Sequence, residues 1–514
     1  MVCVLAAGCG SKETITNEER FEFQGYPIRS VQKLTYWVTL NGNVPPECGS
    51  LGGTEFAKQL REQTGVEVEF IHPTQGQEST QLNILLTSKS LPDIIEFEWA
   101  YFPGGAANAL QQGYITELNA LVETCSPNYK QYLLKNSDVE KMVKTDDGKQ
   151  YMYPFIREDR MLQVFNGPIV RRDWLDDLGL SIPETLEDWH TMLTLFRDKK
   201  GAQAPLSFAS PMFVSYLNNG NFIGAFGILR GHYLEGEQVR YGAIQSAYQQ
   251  FLELFAQWYR EGLIDRNISN VEGKAVSVNV QNGRTGATIG FAGSDIGKWT
   301  QANPSMKFTA VPYPVLTRGE KPKFGQMDPK VSSSGAAAIS SSCKNRELAA
   351  RFLDYGYSEE GNRLYNFGRE GVSYQLVDGY PRYTDEIMNN PELSLASALA
   401  KYTRANYYGP FVQSLEYMEQ FYRLPEQKQA VEIWSNTDMD KNGLPPLGLS
   451  AEESSIVSGI MNNIDAYIDE YTMKVVMNLQ DTQDFDAYVA QVQQYGIDQV
   501  VEIYQKAYQR YRMR

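Results

Sequence analysis

Apolar and amphipathic segments alternate from Lys33 to Gln112, and that alternation limits the fold more than any other feature. Lys33 to Leu40 (KLTYWVTL) is β-branched and aromatic, the composition of a strand, and Asn41-Gly42-Asn43 ends it. Thr54 to Gln63 has a helical period, with Gly65 as its stop. Val66 to Ile71 alternates as a second strand, and Leu82 to Leu86 is a short apolar helix. Leu91 to Trp99 (LPDIIEFEW) has the pattern of a buried strand, followed by the loop Phe102-Pro103-Gly104-Gly105 and a helix over Ala106 to Gln112. Strand and helix in strict turn predict an α/β unit, a parallel sheet with helices on both faces. Ligands of such sheets sit beyond the C-terminal strand ends. That rule places Trp37, Asn41, Glu98, Trp99 and Tyr101 at a ligand edge.

The stretch from Gly148 to Leu178 is where the chain leaves one lobe and founds another. Tyr151, Met152, Tyr153 and Phe155 surround Pro154, which lacks an N–H and so marks an edge or crossing segment. Arg157, Glu158, Asp159 and Arg160 follow as a charged patch. Met161 to Phe165 reads as a new strand, and Asp173 to Leu178 as an amphipathic helix stopped by Gly179. Rings beside both signs of charge suit a polar ligand with apolar faces. A buried aromatic cluster beside a solvated salt-bridge patch has the same composition.

In the second lobe, Leu186 to Arg197 and Ala247 to Glu261 are helices, and the Gly-, Asn- and aromatic-rich Ser207 to Tyr241 reads as irregular, ligand-edge structure. Thr285 to Phe291 is a strand with Ala292-Gly293-Ser294-Asp295 after it, so strand-end logic adds Phe291, Ser294 and Asp295 to the candidates. Phe308 to Val315 is an extended segment that would carry the chain back to the first lobe. Arg369 and Glu370 sit between Gly368 and Gly371 in a loop. Ala451 to Arg514 divides into two or three amphipathic helices.

A chain of 514 residues implies two to four domains. The net charge of −15, with no long basic stripe, argues against a nucleic-acid partner. The 32 Tyr and 7 Trp supply flat faces with hydrogen-bonding tips, which suits carbohydrate. The five Cys form no CxxC pair and the three His lie far apart, so neither a metal cluster nor a catalytic triad is expected. No phosphate loop and no G-x-S-x-G elbow is present. Asp438 to Gly443 resembles half an EF-hand, but Leu449 stands where the bidentate Glu belongs, so no metal is predicted. Were the chain a glycosidase, Glu98 and Glu370 would be the candidate carboxyl pair. At the N-terminus, Val2 to Ala7 followed by Gly8-Cys9 resembles a lipobox with Cys9 as the lipidated residue, although Ala6 replaces the usual Leu and no basic region precedes it. Ser11 to Arg29 reads as a polar tether.

Several longer stretches resemble the extracellular solute-binding lipoproteins of bacterial ABC sugar importers. They are LPDIIEFEWAYFPGGAANALQQGYITELNAL, VRRDWLDDLGLSIPETLEDW, WYREGLID, ISSSCKNRELAARFLDYGYSEEGNRLYNFGREGVSY and LPPLGLSAEE, and their order and spacing carry the likeness. The resemblance implies two α/β lobes joined by two or three crossings around a hinged cleft, with a helical C-terminal region. The lobes would comprise residues 31–156 with 313–380, and 157–312 with 381–514, after a leader and tether over 1–30. Glu98, Trp99 and Tyr101 match the family's first-lobe ligand loop, Phe291 to Asp295 match one in the second, and Tyr153 and Arg157 lie beside the first crossing. Many relatives carry a calcium loop after the helix that ends here near Arg197. Only Asp198 to Gln203 stands there, so neither calcium nor a cofactor is expected. The implied function is non-enzymatic capture of an oligosaccharide by a monomer, lipid-anchored outside the cell, which delivers it to an ABC permease. A carbohydrate-active enzyme and a receptor for peptide or another small polar molecule are the alternatives. On this reading Trp99→Ala weakens binding tenfold or more.

Overall fold

The computed structural model describes residues 23–514 other than 31, 89, 100, 101, 406 and 407. Cys9, the tether up to residue 22 and Tyr101 therefore lie outside the described residues. The strands in chain order are β1 (Lys33–Trp37), β2 (Glu67–Ile71), β3 (Ile94–Phe97), β4 (Tyr153–Ile156), β5 (Asn166–Arg171), β6 (His232–Glu235), β7 (Gln238–Tyr241), β8 (Ala287–Phe291), β9 (Phe308–Ala310), β10 (Val331–Ile339), β11 (Tyr374–Val377) and β12 (Tyr380–Tyr383).

The first lobe is a five-stranded sheet in the order β2-β1-β3-β10-β4. β1 pairs in parallel with β2 and β3, as the strand–helix rhythm predicts, and β10 runs antiparallel to β3 and β4. The helix Glu55–Thr64 starts where the Thr54 side chain accepts from the Ala57 N–H and ends on left-handed Gly65. The second lobe is built on the antiparallel sheet β8-β5-β9, covered by the helices Leu186–Lys200 and Ser246–Arg260 and by the C-terminal helices Ala451–Val476, Phe485–Tyr495 and Ile497–Met513. β6–β7 and β11–β12 are hairpins. The molecule is thus a two-lobed α/β protein with a helical C-terminal region. Among the described residues no helix is long and apolar enough to cross a membrane.

Three segments cross between the lobes. After β4 the chain passes through Arg157 to β5. It returns at Asp328 to Val331, where the Arg157 N–H meets the Lys330 carbonyl at 2.8 Å. It leaves again beside β4, where Ile156 bridges Val412. Two expectations fail on this course. Met161 to Phe165 is not a strand, because the Asp159 carboxylate accepts from the Met161 N–H and starts the short helix Arg160–Gln163. Phe308 to Val315 does not return to the first lobe. Phe308–Ala310 pairs with β5, and the Tyr313 hydroxyl donates to the Asn166 carbonyl inside the second lobe. The return at 328–331 therefore lies later than the boundary at 313.

The boundary at 380 fails for a different reason. Phe367, Tyr374, Tyr383 and Leu399 join Ile169 and Trp434 in a third core that straddles the hinge. Trp434 packs there so closely on β5 that a Cβ at Gly167 would lie 2.6 Å from its indole. Ser207 to Tyr241 is also not ligand-edge structure. Phe208, Phe213, Tyr216 and Phe222 fill the second-lobe core.

Candidate ligand-binding cleft

Side chains of a strand alternate between faces, so Glu96 and Glu98 share one face of β3 while Phe97 and Trp99 share the other. On the Trp99 face the rings of Phe97, Trp99, Phe102 and Tyr114 pack in sequence under helix Gly105–Gln111. On the Glu96 face stands a buried charge network. The Arg404 guanidinium donates to both Glu96 oxygens, at 3.1 and 2.8 Å, and the Tyr36 hydroxyl donates to Oε2 at 2.6 Å. Burial and the Glu96 charge push the Tyr36 hydroxyl far up, and the same carboxylate keeps Arg404 protonated. This pair fixes the third crossing on the first lobe. Gly335 of β10 has φ +67° and passes so close to Tyr408 that a Cβ would sit 2.5 Å from the Tyr408 Cβ.

An aromatic floor lies at the hinge between the lobes. Tyr408 meets Phe155 edge-on at 5.8 Å, and Phe165 stacks on Phe291 at 6.0 Å with the planes 3° apart. The Arg157 guanidinium links the two pairs, 5.3 Å from the Phe155 ring and 5.9 Å from the Phe165 ring, and is ion-paired with Asp328. Gln326 steadies this joint by accepting from the Phe165 N–H at 2.8 Å and donating to Asp328 at 3.0 Å. Phe421 and Tyr422 close on Gly293, where an added Cβ would lie 3.1 and 3.3 Å from their rings. Burial pushes the Tyr422 hydroxyl up to about 12, with the Arg157 charge pulling the other way. Tyr408, Arg157, Phe165, Phe291 and Phe421 are each only half-buried.

The sequence-predicted residues divide into three groups. Arg157 and Phe291 belong to this floor, Glu98 is half-buried on the face of the Glu96 network, and Ser294 is exposed beside Phe291. Asn41 is half-buried at the end of β1, with its side-chain oxygen accepting from Asn43. The second group is in the core instead. Trp37 is buried against Phe97. Trp99 has no exposed surface, and its indole N–H donates to the Ala336 carbonyl at 3.1 Å. Tyr153 is bonded to the Ser126 hydroxyl and packed on Tyr129. These three fill the lobe because the buried side of a strand end is as apolar as its middle. Asp295 also turns inward, accepting from the Phe291 N–H at 2.8 Å, and its burial raises its carboxyl above the usual range. The third group lies elsewhere. Arg369 and Glu370 stand exposed on the outer flank of helix Glu55–Thr64, where Arg369 pairs with Glu62. Glu98 and Glu370 are thus not gathered into a carboxyl pair.

Phe165, Tyr408, Phe421 and Tyr422 were not anticipated. For all but Phe165 the signal was the stretch 402–422, YTRANYYGPFVQSLEYMEQFY, in which seven of 21 residues are aromatic. Among the described residues no group of three His, Cys, Asp or Glu side chains is gathered for a metal. Asp438 of the half EF-hand accepts from Lys321 and Lys441 at 2.9 and 3.1 Å.

A space of about 1860 Å³ opens between the two lobes, lined by residues of both and of the crossings. Phe102, Met142, Tyr151, Asp328, Leu449 and Tyr508 are among its walls, so it lies between the Trp99 face and the C-terminal helices. The crossing residues Glu158, Arg160 and Gln163 and the segment 327–331 also line it, and Asp328 joins it to the Arg157 ion pair.

Comparison with known proteins places this geometry. Residues 53–363 match the family described as bacterial extracellular solute-binding protein. The chain is 23% identical to FusA, a fructooligosaccharide ABC transporter substrate-binding protein of Streptococcus pneumoniae serotype 4, over 99% of this chain and 96% of that one. It is 25% identical to lipoprotein LipO of Bacillus subtilis, over 65% of this chain and 66% of the relative. An HMO-binding, ABC-transporter-associated solute-binding protein of Bifidobacterium longum infantis superposes with a TM-score of 0.75 at 19% identity, over 93% of this chain and 98% of that one. A match over more than half its length, with two lobes hinged at three crossings, makes the chain a member of the bacterial extracellular solute-binding protein family.

Proposed function

We propose that this protein is the receptor of an ABC-type importer, and that it captures an oligosaccharide between its lobes and delivers it to a membrane permease. The observation that carries the reading is the half-exposed aromatic floor at the hinge, with Arg157 among its rings. Sugars present apolar C–H faces and a rim of hydroxyls. Phe165, Phe291, Tyr408 and Phe421 offer flat surfaces for the faces, and Arg157, Asp328, Glu98 and Ser294 offer donors and acceptors for the rim. Ligand contacts shared by both lobes favour the closed arrangement. The near end-to-end likeness to FusA favours an oligosaccharide over a monosaccharide. Membership of a binding-protein family and the scattering of Glu98 and Glu370 favour binding without turnover. Lipid attached at Cys9 would hold a monomer on the outer face of the cell membrane, and the LipO relative supports that placement.

The test is a thermal-shift screen of the protein with fructooligosaccharides, other oligosaccharides, monosaccharides and short peptides. A ligand at 100 times its Kd adds about 2.7 kcal/mol of stability. A shift with an oligosaccharide that is recovered intact after overnight incubation supports the proposal. Cleavage of the sugar, or a shift with peptides alone, refutes it.

A further inference from the structure

We infer that the oligosaccharide is built of neutral sugars, without carboxylate or sulfate groups, because the protein's own carboxylates already hold every cation that lines the space between the lobes. This rests on the receptor reading above and names the chemistry of its ligand. An acidic sugar needs a cation to replace the water that its charged group gives up on binding. Among the described residues eight Lys and Arg side chains line the 1860 Å³ space. Lys144 pairs with Glu140 at 2.5 Å, Lys149 with Asp147 at 2.6 Å and Lys330 with Asp138 at 2.6 Å. Arg160 pairs with Asp440 at 3.4 Å, Lys441 with Asp438 at 3.1 Å and Arg512 with Glu237 at 2.7 Å. Arg510 and Arg514 share the Asp146 carboxylate, and Arg510 also holds Glu453 at 2.7 Å. The aromatic floor repeats the pattern, since Arg157 among its rings is ion-paired with Asp328, which also lines the space. Beside the floor, burial raises the Asp295 carboxyl and the Lys298 charge, from the helix after Ser294, draws it back. The pairing holds wherever along this space the sugar lies.

The surplus charge has the other sign. Among the described residues Glu117 and Glu158 line the space outside any ion pair, and Glu158 accepts the Tyr132 hydroxyl at 3.3 Å. The net charge of the chain, −15, acts in the same direction. A neutral sugar leaves every pair in place, since its hydroxyls donate to the carboxylates and accept from the N–H groups that the pairs leave open. A uronate or a sulfated sugar would have to break a pair, stranding the protein's own acid, or lie beside the surplus acids, where like charges are penalised.

The experiment titrates the full chain by calorimetry with tri- to pentasaccharides in matched pairs. Three pairs differ only at C6, glucose against glucuronate, galactose against galacturonate and mannose against mannuronate, and the fourth is fructooligosaccharide, bare and O-sulfated. The neutral member of at least one pair should bind, with its acidic partner at least about tenfold weaker. Asp328→Asn releases Arg157 from its carboxylate while keeping an acceptor for Gln326. It should narrow the gap within that pair by about tenfold, the worth of one close charge pair in a wet site. An acidic member that binds the wild type as tightly as its neutral partner overturns the assignment and leaves the receptor reading standing, as does a gap that Asp328→Asn leaves unchanged. Binding of no saccharide of either kind overturns the receptor reading, and the neutral-sugar assignment with it.

Discussion

Trp99→Ala separates a core role from a ligand role. The indole is fully buried between Phe97 and Phe102 and donates to the Ala336 carbonyl. Truncation removes the ring from a packed core and leaves a cavity, a loss of about 3–5 kcal/mol. Trp99→Phe keeps most of the ring and loses the hydrogen bond, leaving the Ala336 carbonyl without that donor, which costs about 1–3 kcal/mol. Urea unfolding followed by circular dichroism reads both. At a slope of ~3 kcal/mol per M, the larger loss moves the midpoint down by about 1–2 M. The affinity of the folded fraction for an oligosaccharide stays within about twofold of wild type, because no face of Trp99 reaches the cleft. An unchanged midpoint with binding lost tenfold would refute this and return Trp99 to the ligand edge.

Two further substitutions test the interior. Burial pushes the Asp354 carboxyl up to about 6, against bonds from the Asn128 and Tyr129 N–H groups that pull it down. A raised acid favours the folded state when protonated, so its contribution is full below about 4 and lost as pH rises to about 6, roughly 3 kcal/mol in all. Asp354→Asn should remove that part of the pH dependence, and parallel stability–pH curves for the two proteins would contradict the assignment. Glu96→Ala strands the Arg404 charge in the core and should cost about 3–5 kcal/mol in a denaturant melt, whereas Glu96→Leu with Arg404→Met should recover much of it. Equal losses for the single and double variants would show that the pair is not what holds the third crossing.

The parallel strands, their helices and the helical C-terminus were legible because each rests on local periodicity and on stops such as Gly65. The partition at the strand ends was not. Glu98 and Trp99 are neighbours with the same predicted role, yet the pleat sends them to opposite faces, and only the helix packed on each face decides which meets solvent. Asp295 escaped for a related reason, since a short acidic side chain after a strand can cap its own turn as readily as face a ligand. The third crossing was invisible because the Arg404–Glu96 pair joins residues 308 positions apart. The aromatic residues around Tyr408 and Phe421 were conspicuous in composition, but nothing local ties them to β4 or β8.

The most direct test of the receptor account is a calorimetric titration of the wild type and the Phe291→Ala, Phe421→Ala double variant with an oligosaccharide series of increasing length. The account predicts saturable one-to-one binding by the wild type. It predicts affinity at least tenfold weaker in the variant, a loss of at least ~1.4 kcal/mol, with the melting temperature of the free protein within a few degrees of wild type. Equal affinity for both proteins, with the fold intact, would contradict the placement of ligand on the aromatic floor of the cleft.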